Sequence, residues 1–336
     1  MKKLIALLLI TVLSITALCA CSQNDNTQDE NVTINIGYMQ GPTGMGMAKL
    51  IHDNQSNGKY RFTKFEDAQL ATAALLKGEI DVACLPTNNA SIIYNTKNES
   101  VQVLALNCLN SLYLMTKSGT AISSINDLEG KTIYTISNGT PKLILKELLE
   151  KNNVNATIKT EAVINNDTKQ LALPSDLASA LIAGAADIAL VPEPVATAVP
   201  LKLASMNKDH MYTVALNVGT EWEKVYENPV AMGCVLANKS FVAENKTAID
   251  AFLTEYEASI AFMSNSENRD LAADYIVEAS VLDAKGAAVK SLNNLGDAIA
   301  YVDGDKMKSI LVDFYTAIGN SAIGGKLPND EFYYKK

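Results

Sequence analysis

Two histidines, His52 and His210, and two arginines, Arg61 and Arg269, are all that this 336-residue sequence offers of the side chains most used to move protons or grip anions. Neither histidine falls where other reactive residues gather. No Ser/His/Asp set and no paired carboxylates stand at a spacing that builds an acid–base or nucleophilic centre. No catalytic residue, metal or cofactor is therefore expected, and Cys/His spacing of the zinc-binding kind is missing. The chemistry that remains is hydrogen bonding from short loops rich in glycine and small polar residues. These hold Gln40, Thr43, Gly44, Met45 and Gly46; Thr87, Asn88 and Asn89; Asn107; Asn138, Gly139 and Thr140; and Glu193 between two prolines. Such loops let the backbone come close to a small molecule. Turn and cap chemistry accounts equally well for Thr87, Asn88 and Thr140 taken singly. The glycines of residues 41–46 are too irregular for a nucleotide-binding loop.

Glu193 would receive an amino group or a protonated nitrogen. Both arginines lie outside these loops, which disfavours a doubly charged anion held by a bidentate guanidinium. A neutral or zwitterionic small molecule, or a nitrogen heterocycle, is the expected ligand. Stacking on a ring would have to come from Tyr38, Trp222 or Tyr226.

The elements that position these loops alternate. Strand patterns at residues 33–39, 60–65, 80–85 and 101–107 are separated by helical ones, including residues 67–77, which open on an aspartate and stop at Gly78. A second set follows, with strands at 131–136, 156–163 and 187–191 and helices at 141–151 and 175–183. This predicts an α/β fold of mostly parallel sheets flanked by helices. The segments 75–86 and 181–192 echo each other: Gly78 aligns with Gly184, Asp81 with Asp187, Ala83 with Ala189 and Pro86 with Pro192. Two such copies predict two similar lobes. In open sheets of this kind ligands sit beyond the carboxyl ends of the strands, where helix N-termini present free N–H groups, and each loop above is expected there. Helical periodicity at 246–263, 267–282 and 306–318 predicts helices that return to the first lobe.

The N-terminal residues speak to compartment. Lys2 and Lys3 precede an apolar run over residues 4–18 that is too short to span a bilayer and ends in Leu18-Cys19-Ala20-Cys21. This pattern predicts an export signal over residues 1–20, with Cys21 as the lipidated first residue of the mature chain. A plain secretory signal is the alternative. Residues 21–31 carry nothing apolar to bury and are expected to form a solvated tether. Net charge is −9, and without Lys2 and Lys3 the remaining 26 basic residues face 37 acidic ones, giving −11. That excludes a nucleic-acid partner on electrostatic grounds. Five cysteines are too few for a disulfide scaffold; Cys84, Cys108 and Cys234 sit in apolar strand-like runs and read as buried thiols, with a Cys84–Cys108 bridge as the alternative.

With these features assembled, the sequence resembles the nitrate/sulfonate/taurine and thiamine-precursor group of type II periplasmic binding proteins. The resemblance is carried by the Leu18–Cys21 ending, the paired Gly/Asp/Pro units, Ile125-Asn126-Asp127-Leu128-Glu129-Gly130-Lys131, Ser137-Asn138-Gly139-Thr140-Pro141, and Ile323-Gly324-Gly325-Lys326-Leu327-Pro328. It implies a two-lobed fold with the ligand cleft between the lobes, and two crossovers near residues 115–120 and 214–218. Residues 32–115 with 217–336 would form lobe 1, and residues 116–216 lobe 2. It further implies a monomeric solute-binding component of an ABC importer, lipid-anchored on the extracytoplasmic face of the cell membrane, with a small-molecule ligand and a permease and ATPase as partners. The same fold also resembles small-molecule enzymes, lyases and a pyrimidine-precursor synthase; a sensor receptor without its own transporter is a third reading.

Overall fold

The computed structural model describes residues 32–56, 58–137 and 139–336. The expected signal segment, the tether, Cys21 and Asn138 lie outside the described residues.

The strands are β1 (Ile34–Met39), β2 (Tyr60–Phe65), β3 (Val82–Pro86), β4 (Val101–Leu109), β5 (Leu112–Lys117), β6 (Thr132–Tyr134), β7 (Thr157–Lys159), β8 (Glu161–Ile164), β9 (Asp167–Gln170), β10 (Ile188–Pro192), β11 (Tyr212–Asn217), β12 (Ala231–Asn238) and β13 (Ile299–Val302). The α-helices are α1 (Pro42–Asp53), α2 (Ala68–Leu76), α3 (Thr87–Thr96), α4 (Thr140–Lys151), α5 (Pro174–Ile182), α6 (Val195–Ser205), α7 (Val218–Glu223), α8 (Lys239–Glu244), α9 (Lys246–Ser264), α10 (Arg269–Glu278), α11 (Lys285–Leu295) and α12 (Gly304–Ile318).

Two sheets form the two lobes. The first runs β13-β4-β12-β3-β1-β2, the second β11-β5-β10-β6-β7. Read from one edge they match: β2-β1-β3-β12-β4 against β7-β6-β10-β5-β11. In each, two parallel βαβ steps lie beside an antiparallel strand, β12 next to β3 and β5 next to β10. The echo between segments 75–86 and 181–192 has the same geometry in both places. Gly78 and Gly184 end their helices at φ 72° each, and each donates its N–H back into the last turn, to Leu75 and Leu181. A side chain at that left-handed position would be strained, so glycine stops the helix.

Strands β3 and β10 read as unbroken apolar runs because both of their faces are covered. Val82 and Cys84 enter a core under α1, α9, α10 and α11, while Ala83 and Leu85 enter one under α2, α3 and α12. In the second lobe Ala189 and Val191 face α5 and α6, and Ile188 and Leu190 face α4. Cys84, Cys108 and Cys234 are free and buried; burial pushes the Cys84 and Cys108 thiols up to about 12.

Several details differ from expectation. Residues 112–117 and 212–217, close to the expected crossovers, are central and edge strands of the second sheet; the chain passes between the sheets at Asn110 and Ser111 and again over residues 218–230. Expected strand 156–163 is split, because Glu161–Ile164 turns back on Asp167–Gln170 as a separate antiparallel pair. The helix expected over 267–282 ends at Glu278, and α11 follows as a separate helix. Among the described residues no helix is long and apolar enough to cross a membrane.

Candidate functional site

Helices α1, α3, α4 and α6 start just beyond the carboxyl ends of β1, β3, β6 and β10, and the ends of β1 and β10 approach each other across the lobes. Helix α1 begins after Gly41 and α4 after Gly139, each with a proline in its first turn and no side chain capping its N-terminus. Among the described residues no side chain accepts from the first-turn N–H groups of either helix, and such groups bind anions or carbonyl oxygens. Both are twelve-residue helices, long enough to carry a full terminal partial charge.

The expected site residues fall into three groups. Thr43 and Asn107 come together around Gly233 of β12: a Cβ placed there would lie 2.6 Å from Thr43 Cγ2 and 2.7 Å from Asn107 Oδ1. Thr87 joins this group through the same strand, since its hydroxyl donates to the Ala231 carbonyl at 2.6 Å. Asn107 donates to the Tyr256 hydroxyl at 3.0 Å. The buried Oδ1 atoms of Asn107 and Asn88 find no donor among the described residues. Asn89 is half-buried beside them on α3, and Gln40 is exposed at the rim.

Met45, Gly44 and Gly46 form the buried first turns of α1. A Cβ on Gly44 would sit 2.1 Å from the Met39 carbonyl oxygen, and one on Gly46 3.2 Å from Ile260 and Ile299. These two glycines let α1 lie directly on the end of β1 and against α9. Their missing side chains are accounted for by packing, a reason the loop reading of residues 41–46 did not contain.

The third group belongs to the second lobe. Gly139 is exposed and Thr140 buried at the start of α4. Glu193 follows β10 and is only 2% exposed. Its carboxylate accepts from Thr197 at 3.0 Å, Ser291 at 3.0 Å and Asn294 at 2.8 Å. Burial pushes its pKa above the ordinary carboxylate value, and the three donors oppose that rise. The backbone of Glu193 also abuts the first lobe, its carbonyl 3.5 Å from where a Gly41 Cβ would be. Gly41 and Glu193 thus bring the two lobes' strand ends together.

The crossovers are tied at Asn110. Its N–H donates to the Val230 carbonyl at 3.1 Å, its Oδ1 accepts from Val230 N at 2.9 Å, and its Nδ2 donates to Glu223 at 2.7 Å. Asn110 sits at φ 46°, a left-handed position that asparagine tolerates. The sequence placed Asn107 in a strand-end loop; the tie made by Asn110 was not visible because Val230 is remote in sequence.

The aromatic candidates point elsewhere. Trp222 is buried in the core, stacked on Tyr226 and packed on Phe314, and Tyr38 donates to the Ala279 carbonyl. The histidines are also remote from the strand ends. His52 stacks on Tyr275 and contacts Glu278, while His210 covers Gly184.

A family model described as NMT1/THI5 like matches residues 59–269. The chain belongs to the NMT1/THI5-like family. No curated protein sequence matches it. Among solved structures it is similar to an ABC transporter protein from Parabacteroides distasonis, with a TM-score of 0.70 and 20% identity over 91% of this chain and 100% of that one. It is also similar to the periplasmic aliphatic sulphonate binding protein SsuA from Escherichia coli, with a TM-score of 0.64 and 15% identity over 85% and 90%. The periplasmic nitrate-binding protein NrtA from Synechocystis PCC 6803 gives a TM-score of 0.59 and 13% identity over 83% and 75%. These neighbours share the two-lobed fold of this member of the NMT1/THI5-like family.

Proposed function

We propose that this chain is the solute-binding component of an ABC importer: a monomer that captures a small polar molecule between its lobes and presents it to a permease driven by an ATPase. The observation that carries the reading is the pairing of two lobes of matching topology, joined at the carboxyl ends of their strands, with one uncapped helix N-terminus contributed by each. The solute lies among Gln40, Thr43, Thr87, Asn88, Asn89, Asn107, Gly139 and Thr140, and Glu193 closes one wall. The free N–H groups call for an acceptor on the solute, and the unpaired Oδ1 atoms of Asn88 and Asn107 call for a donor. A neutral or zwitterionic molecule with both fits better than a bare anion. The ABC-transport and solute-binding proteins among its structural neighbours support a transport role over an enzymatic one.

The chain works outside the cytoplasm, held to the membrane by a lipid on Cys21. Native mass spectrometry of protein purified from its host tests capture: a small molecule released on denaturation, and bound again with a measurable heat when returned to the refolded chain, is the expected result. Failure of every co-purified or added solute to bind would remove the proposal. Cys21→Ala tests the anchor; it should move the protein out of the membrane fraction with its melting unchanged, and a variant that stays in that fraction speaks against lipidation.

A further inference from the structure

We propose that Glu193 is a latch between the lobes, holding helix α11 of the first lobe against the second and keeping the cleft closed independently of any solute. The carboxylate belongs to the second lobe, one residue past β10, yet two of its three side-chain donors, Ser291 and Asn294, lie on α11 of the first. Asn294 is gripped three ways. Its Nδ2 reaches both Glu193 and Thr197, at 2.8 Å each, and its carbonyl accepts from the Tyr113 hydroxyl of β5 at 2.7 Å. Helices α11 and α6 pack together around these bonds. Ser291 is fully buried.

The chemistry of the contact makes it a latch rather than a weld. A carboxylate with neutral donors only is costly to bury, so part of what its hydrogen bonds contribute is offset by lost hydration. Separation of the lobes returns water to Glu193, Ser291 and Asn294 together, leaving no group stranded. The contact thus stabilises the closed form by a margin small enough to be reversed. An apolar seam of the same extent would offer no such compensation on opening. The inference rests on the two-lobed fold alone and holds whatever the solute is.

The test is solution scattering on the full chain, stripped of solute by unfolding and refolding. The parent is expected to be compact. Ser291→Ala/Asn294→Ala removes both first-lobe donors, and Glu193→Ala removes the acceptor. Ser291→Ala/Asn294→Ala weakens the closed form alone, and Glu193→Ala removes the same interlobe bonds while giving up its bond to Thr197 in both forms, so with either the ratio of open to closed molecules should rise about tenfold or more, read as a larger radius of gyration. Lys290→Ala, exposed on the same helix, is the control and should scatter like the parent. Circular dichroism shows which variants are folded, and two independent variants allow for one that is not. A folded latch variant as compact as the parent, or a stripped parent as extended as the variants, overturns the proposal.

Discussion

Gly41 and Gly139 hold the same backbone conformation, φ 92° with ψ −164° and φ 85° with ψ −168°, at the same place in the two lobes. That region of conformational space is essentially closed to residues with a Cβ. The cost of substitution there is backbone strain, because little surrounds either site: the nearest atoms to an added Cβ are 3.5 Å away at Gly41 and 3.7 Å away at Gly139. Gly41→Ala and Gly139→Ala are each expected to lose about 1–3 kcal/mol in denaturant melts. Gly58, at φ 70° with open space around it, should lose only about 1 kcal/mol. Equal losses at all three positions would contradict the account.

Gly44 has a different reason for being glycine, and its substitution should behave differently. An added methyl meets a main-chain oxygen, which cannot swing aside as a side chain can. Gly44→Ala is expected to destabilise by about 3 kcal/mol or more, at the upper end of overpacking costs. Solute binding lost in this variant would accompany a lowered melting temperature, whereas Gly139→Ala should weaken binding while remaining folded at working temperature.

At the hinge, Asn110→Gly keeps the left-handed backbone and deletes the side chain that satisfies Val230 N. The expected loss is about 1–2 kcal/mol, the cost of an unmet backbone donor and a broken bond to Glu223. Hydrogen exchange of the Val230 amide should accelerate in the folded variant; unchanged protection at that amide would show that Asn110 does not tie the crossovers.

The raised pKa of Glu193 carries a sign. A carboxyl that binds protons more tightly when folded lowers stability at pH values above its folded pKa, and the penalty is relieved as pH falls through that value towards the unfolded one of about 4.3. Measured against Glu193→Gln, the parent should therefore gain relative stability as pH is lowered from neutral through that window. Two unfolding free-energy curves that run parallel across it would show that Glu193 titrates normally.

Much of this was legible in the sequence because it depended on neighbours along the chain. Gly78 and Gly184 announced helix ends, Pro86 and Pro192 strand ends, and the spacing of these residues carried the duplication. Periodicity could not show where the chain changes sheets. Residues 112–115 are apolar on both faces, like any buried strand, and nothing local says which sheet will take them. Ser291 and Asn294 were invisible for the same reason: they meet Glu193 from about a hundred residues away, on a helix whose polar positions look like a solvated face. Trp222 looked available to a ligand, but its neighbours Phe314 and Tyr226 enclose it.

The place of β12 in the first sheet has a consequence for how the chain comes into being. Every strand of the second sheet lies between residues 112 and 217, so that sheet is complete in the emerging polypeptide before β12 at 231–238 appears. Strand β12 fills the slot between β3 and β4, which are otherwise held two strand spacings apart, roughly 10 Å, with no hydrogen-bonded partner across the gap. The order of synthesis is therefore the reverse of the order of completion: the half of the molecule that is made first is the last to close.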